Sequence, residues 1–250
     1  MTVLNLSERQ RAILRLVEQS GFATIEDLAL RFEVTTQTIR RDVNDLRDRA
    51  LLTRVHRGVR PNEAARPYAS RAGEQQGEKA ALAREVLRLI PPGASVSIGL
   101  GSTPAEVARL LAGAGPRDVI TNNLAAASHL WDAEEIQLSI CGGTVRDRSV
   151  SGSAAAEFFA GFRVDYAIFG VAGVDEDGAL LDFRTEEARA RAAMQAHARH
   201  AVLVLDQVKF LRRAPARGGW LSAADFVVTN APPPEALAAG LRQGALILAP

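Results

Sequence analysis

The chain has one cysteine, Cys141, so no disulfide can form within it. No apolar run approaches the roughly 20 residues that a membrane span requires. The first residues lead into a polar helix and not into an apolar signal segment, so the expectation is a cytoplasmic protein with no membrane partner. Lysine is scarce: Lys79 and Lys209 are the only two among 30 basic residues. Arginine therefore carries nearly all the positive charge, a bias that on its own says nothing about function. Repeats and low-complexity tracts are absent. Hydrophobic residues at 47% and charged residues at 24% argue against disorder, and 250 residues suit a small domain joined to a larger one.

The formal net charge of +1 is unevenly spread. Residues 40 to 60 hold seven arginines against Asp42, Asp45 and Asp48, a local charge of +4, which suits a polyanionic partner. Ser7 with Gln10 makes a capping-box pattern, and Ile13, Leu14 and Val17 follow at helical spacing, predicting a helix over about 8 to 20. Thr24 can cap a short second helix, and Thr35 a third over about 36 to 49. Leu51 to Val59 reads as a short hairpin. In the third helix Ile39, Val43 and Leu46 share one face, while Gln37, Arg40, Arg41 and Asn44 share another. Arginine can pair with guanine O6 and N7, and Gln or Asn with adenine N6 and N7. A solvated polar face is the alternative for any one of these side chains; the three helices, tight turn and basic hairpin together favour DNA reading.

Residues 60 to 78 lack a clear period and read as a linker. The expected division is a winged helix-turn-helix over 1–60, a linker over 61–78 and an effector-binding, oligomerising domain over 79–250. Beyond the linker, apolar strands alternate with helices, with strands near 95–99, 118–121, 136–141, 165–171, 201–206, 225–229 and 244–248. That alternation predicts an α/β domain with a mainly parallel sheet. After the first of these strands comes Gly99-Leu100-Gly101-Ser102-Thr103-Pro104-Ala105-Glu106. Here Thr103 and Glu106 read as a capping box and Pro104 as the first helical residue. Glycines admit a ligand to the backbone, and a helix N-terminus favours an anion such as phosphate. A glycine turn used only for packing reads equally well. Other strand ends carry Asn122 and Asn123, then Gly142, Gly143 and Arg146, then Gly170 to Gly173, then Asp206 to Lys209. The carboxyl ends of strands in an open α/β sheet converge on one ligand crevice.

The run Phe32-Glu33-Val34-Thr35-Thr36-Gln37-Thr38-Ile39-Arg40-Arg41-Asp42-Val43, followed by Leu46, Leu51, Arg54 and His56, resembles the DeoR family of transcriptional repressors. The resemblance implies DNA contacts by Thr36, Gln37, Thr38, Arg40 and Arg41, to which the shared polar face adds Asn44, with a wing carrying Arg54, His56 and Arg57. The chain departs at His56-Arg57-Gly58-Val59, where the family usually has His-Gly-Gly-Ala. The order of the later strand ends is also similar to the family's effector domain, whose fold is shared with ribose-5-phosphate isomerase. A branch that regulates glycerol catabolism matches further at Val119-Ile120-Thr121-Asn122-Asn123-Leu124, Leu180-Leu181-Asp182-Phe183, Arg199-His200 and Asn230-Ala231-Pro232-Pro233-Pro234. Two departures touch the pocket: Gly99 stands where the family commonly has aspartate, and Gln207-Val208 replaces the usual polar pair before Lys209.

The resemblance thus implies a repressor of a carbohydrate or glycerol catabolic operon. It would bind double-stranded operator DNA as a homodimer or homotetramer and be released by a phosphorylated effector, glycerol 3-phosphate being the first candidate. Candidate effector residues are Gly101, Ser102, Thr103, Asn122, Asn123, Gly142, Gly143, Arg146, Gly173, Glu186 and Lys209. No cofactor, metal or catalytic residue is expected. His197 and His200 sit three apart on an expected helix without a third ligand, and Cys141 reads as a small buried hydrophobe. Asp175 and Asp177 belong to an ordinary turn composition. The rival reading is a sugar-phosphate isomerase or deaminase-like enzyme with an accessory N-terminal module; an activator is a third.

Overall fold

A computed structural model of the chain describes residues 6–20, 22–49, 51–55, 58–62, 68–115 and 118–250, apart from the side chains of residues 18 and 19. The chain divides into two compact units, Met1–Pro67 and Tyr68–Pro250.

The first unit contains α1 (Glu8–Ser20), β1 (Ala23–Thr24), α2 (Ile25–Arg31), α3 (Thr36–Asp48), β2 (Leu52–Val55) and β3 (Gly58–Pro61). Each helix start follows from a capping side chain. The N–H of Ser7 donates to Gln10 Oε1 at 3.0 Å and the N–H of Gln10 to Ser7 Oγ at 3.1 Å, the reciprocal box that the sequence predicts. Thr24 and Thr35 accept from the N–H groups of Asp27 and Thr38. Ile13, Val17, Leu28, Ile39, Val43, Leu46, Leu52 and Val59 are buried together. The strands form an antiparallel sheet in the order β1-β3-β2, so β2 and β3 make the expected hairpin.

The second unit opens with α4 (Tyr68–Gly73), α5 (Gln76–Leu89), β4 (Ser95–Ile98), α6 (Ser102–Leu111), β5 (Asp118–Thr121), α7 (Leu124–Ala127) and β6 (Gln137–Ile140). It continues through β7 (Val145–Arg146), β8 (Ser149–Val150), α8 (Ser153–Ala160), β9 (Val164–Phe169), β10 (Gly173–Val174), β11 (Ala179–Asp182) and α9 (Thr185–Ala196). It ends with β12 (Ala198–Val204), β13 (Ala216–Trp220), β14 (Phe226–Thr229), α10 (Glu235–Ala238) and β15 (Leu246–Leu248). Seven strands form a wholly parallel sheet in the order β15-β14-β12-β9-β4-β5-β6. These are the seven strands that the apolar runs predict. Helices cover both faces: α5, α6 and α7 pack on one apolar cluster, α8 and α9 on the other. The central strands, buried on both sides, read as continuous apolar runs, whereas the edge strands β6 and β15 are partly exposed.

Three features differ from expectation. Residues 68–73 and 76–78, placed in a linker, are helical and belong to the second unit. A side sheet, β10-β11-β13, and a small hairpin, β7-β8, were not foreseen. The side sheet is fastened to α9 by a buried ion pair, in which Arg191 Nε and Nη2 donate to Asp182 Oδ2 at 3.0 and 2.7 Å. Lastly, His197 ends α9 and His200 lies in β12, so the two do not share a helix face.

Candidate DNA and effector sites

The two faces of α3 separate as its spacing predicts. Ile39, Val43 and Leu46 are buried, whereas Gln37, Arg40, Arg41 and Asn44 are exposed. Asp42 is buried as well, because Arg9 of α1 donates to its Oδ2 at 2.6 Å. Gln10 of α1 reaches Asp45 at 2.9 Å. Two of the three aspartates that dilute the basic patch are therefore spent on holding α3 against α1. Thr36 and Thr38 stand in the first turn, half-buried, and the Thr38 hydroxyl lies 3.0 Å from that of Thr35. Arg40 and the exposed Arg54 of β2 line one crevice of about 510 Å³, together with Thr24 and Glu26 at the start of α2. The crevice thus brings two guanidinium groups together with the Glu26 carboxylate. His56 and Arg57 lie outside the described residues.

In the second unit, the strand order reverses between β9 and β4, where crevices open at the carboxyl ends of doubly wound sheets. The loop Gly99–Gly101 and the start of α6 lie there. The helix starts two residues earlier than the capping-box reading placed it: Gly101, at φ 121°, is the N-cap and Ser102 the first helical residue, with no side-chain cap. Pro104 thus falls third, still in the first turn, where a missing N–H costs nothing. The N–H groups of Ser102 and Thr103 belong to that same first turn.

Asn122 and Asn123 follow β5 and are both 1% exposed. Their roles differ. Asn123 Nδ2 donates to the carbonyls of Gly99 and Gly101, each at 3.0 Å, and its Oδ1 accepts from Ala125 and Ala126. With two donors and two acceptor positions used, it holds the glycine loop and caps α7. That leaves the Asn123 side chain, a candidate effector residue, with no donor or acceptor position to offer a ligand. Asn122 donates to the Val150 carbonyl at 2.9 Å, while its Oδ1 is buried with no protein partner among the described residues.

The remaining effector candidates divide. Gly142 and Gly143 follow β6 at the same sheet edge and are exposed, as is Arg146 in β7. Glu186 is exposed in the first turn of α9, the end of that helix nearest the carboxyl ends of the strands because α9 runs back to start β12. Gly173 is different: a Cβ there would lie 2.0 Å from the Arg212 carbonyl oxygen, so its smallness serves packing. Lys209 lies in a 3₁₀ turn held from two sides, with Asp206 accepting from Val208 and Asn230 Oδ1 accepting from Gln207 at 2.8 Å. Asn230, first residue of the run Asn230-Ala231-Pro232-Pro233-Pro234, thus fixes the turn that carries Lys209. Met194 packs on Gly99, its Sδ 3.2 Å from where a Cβ would stand. Burial pushes the Cys141 thiol up, consistent with a hydrophobe. The Asp175–Asp177 segment is a turn, closed by Gly178 N–H on the Asp175 carbonyl. Among the described residues no group of three His, Cys, Asp or Glu could hold a metal, and no helix is long and apolar enough to cross a membrane.

A three-helix unit with a β-hairpin, followed by a seven-stranded parallel α/β domain, defines a DNA-binding transcriptional regulator with a small-molecule sensor. A DeoR-like helix-turn-helix domain matches residues 9–65 and a DeoR C terminal sensor domain matches residues 74–231, and the chain belongs to the DeoR family. It is 38% identical to the glycerol-3-phosphate regulon repressor of Escherichia coli K12 over 232 residues, 91% of this chain and 92% of that protein. The repressor of the same name in Haemophilus influenzae is 38% identical over 227 residues, 90% and 89% of the two chains. The transcriptional repressor CsqR of Escherichia coli is 34% identical over 246 residues, 97% and 94%. The chain is accordingly a DNA-binding repressor and not an enzyme. A solved ribose 5-phosphate isomerase from Methanocaldococcus jannaschii is a distant likeness, 19% identical over 55% of each chain with a TM-score of 0.41.

Proposed function

We propose that this repressor governs a glycerol or carbohydrate catabolic operon and leaves its operator when a phosphorylated metabolite, glycerol 3-phosphate first, fills the crevice between β9 and β4. The observation that carries this reading is the clamped Gly99–Gly101 loop at the start of α6, set at the point where the strand order reverses. A phosphate monoester carries about −1.5 to −2 charges at neutral pH and needs charge-assisted donors. Ser102 and Thr103 supply backbone N–H groups, and Lys209 supplies a cation on the neighbouring edge. Asn122 Oδ1, buried and without a partner among the described residues, suits a ligand hydroxyl. The relatives named for a glycerol-3-phosphate regulon support the choice of ligand.

On DNA, Gln37, Arg40, Arg41 and Asn44 read bases or grip phosphates from α3, with Thr36 at its start and Arg54 on the wing. A single short reader covers a short site, so the working form is a homodimer or homotetramer joined through the sensor domain. Calorimetry of the full chain with glycerol 3-phosphate and glycerol tests the pocket. Binding of the phosphate ester alone is the expected result, and equal binding of both would exclude a phosphate site.

A further inference from the structure

The tip of the β7–β8 hairpin holds the first helix of the sensor unit. Asp147 and Arg148 occupy its two central positions, both left-handed at φ 49° and 57°, the backbone of a tight two-residue turn. Ser149 Oγ closes the turn on the Arg146 carbonyl at 2.7 Å. The turn aims the Asp147 carboxylate at α4: one oxygen accepts the N–H of Tyr68 and the other Nη2 of Arg71, each at 2.6 Å. The guanidinium carbons of Arg148 and Arg71 lie 5.4 and 5.8 Å from the Tyr68 ring centre. Behind them the buried Lys79 donates to the carbonyls of Arg71 and Glu74, tying α4 to α5.

The base of the same hairpin is sewn to the crevice. Asn122 and Val150 exchange two hydrogen bonds, both at 2.9 Å, and the Leu124 N–H donates to the Arg148 carbonyl at 2.9 Å. A short run of bonded groups therefore leads from Asn122 at the sheet edge to Tyr68, where the chain arrives from the reading unit. Tyr68 and Val150 also belong to the two apolar clusters of the unit, whereas Asp147 and Arg148 at the hairpin tip are exposed.

We infer that Asp147 is a positioning residue that couples the crevice to the reading unit: an occupant that moves Asn122 or the 142–146 loop shifts the hairpin, and Asp147 carries α4 with it. The stimulus rests on the crevice reading above, whereas the tie itself does not.

The test uses the full chain on its own promoter fragment at fixed salt. With no metabolite added, Asp147→Ala should weaken operator binding about fivefold or more, the low end of usual coupling, because an untied α4 adds freedom that binding must remove. Removing a negative charge should favour DNA, so a loss cannot come from charge alone. Glycerol 3-phosphate should then shift the variant's operator affinity by less than about twofold while still binding it, against a coupling of about 5-fold or more in wild type. Arg71→Lys keeps the charge but loses the fork; it should act in the same direction, and combining it with Asp147→Ala should add nothing further. If Asp147→Ala does not fold, Arg71→Lys carries the same two readouts. Operator affinity and effector response both equal to wild type would overturn the inference. A wild-type protein indifferent to glycerol 3-phosphate beside a weakened Asp147→Ala would remove that effector and leave the tie standing.

Discussion

Asn123 Nδ2 lies 3.0 Å from the carbonyl oxygen of Gly99, across the loop that joins β4 to α6. A second bond from the same nitrogen to Gly101 turns both carbonyls toward Asn123. Asn123→Ala removes the α7 cap, worth about 0.5 to 2 kcal/mol, takes the side-chain donor from the Gly99 carbonyl and leaves Gly101 with the Ala105 N–H at 3.3 Å. The expected outcome is a lowered melting temperature for the sensor unit and loss of phosphate-ester binding. Asn123→Asp should be worse at neutral pH, since a carboxylate would face two carbonyl oxygens; melting curves and calorimetry on both variants check this.

The exposed arginines of α3 should be dispensable for folding. Arg40→Ala and Arg41→Ala are expected to change stability by no more than about 0.5 kcal/mol. Loss of a base contact should cost about 1 to 3 kcal/mol and relax specificity, while loss of a phosphate contact should flatten the salt slope by about 1. Anisotropy titrations on operator and mutated operator at several salt concentrations separate the two. Unchanged binding by both variants would take α3 out of the reading role.

Much of this was legible because the period of apolar residues reports burial directly. Ile39, Val43 and Leu46 marked the packed face of α3, and each strand of the parallel sheet announced itself as an apolar run. What stayed hidden depends on partners far apart in sequence. Arg9 and Asp42 are ordinary helix charges until α1 meets α3. Asn122 and Asn123 look alike as neighbours, and only the fold shows that one is saturated while the other keeps a buried oxygen. The strands of β7, β8 and β10 have two residues each, too short for a period, and Gly218-Gly219 disguises β13.

The buried pair between Asp182 and Arg191 yields a third expectation. Removing one partner, as in Asp182→Ala, leaves a buried guanidinium without its carboxylate and should cost about 3 to 5 kcal/mol. Replacing both with apolar residues of similar volume should recover most of that loss. Denaturant unfolding of the single and double variants gives the comparison.

At the amino ends of the strands, Ser95 donates from both its N–H and its hydroxyl to Asp165 Oδ2, at 2.9 and 2.8 Å. These bonds, with Arg199 nearby, hold the Asp165 carboxyl below its ordinary value. Its stabilising effect is therefore present above the unfolded pKa of about 3.9 and fades as pH falls through the lower folded value. Ser95→Ala should be less stable than wild type at pH 7, and the gap should narrow as the pH drops below about 4. A gap independent of pH would show that the hydroxyl acts not through the carboxylate but through the Asp165 N–H, which it accepts at 2.9 Å, or through packing.

The most direct test follows the full chain on a labelled fragment of its own promoter while metabolite is added. Glycerol 3-phosphate should lower operator affinity by about 5- to 150-fold, as a coupling of 1 to 3 kcal/mol requires, and glycerol at the same concentration should leave it unchanged. Lys209→Ala should bind operator as wild type does but respond weakly. Tight binding of glycerol 3-phosphate with no release of DNA would contradict the account.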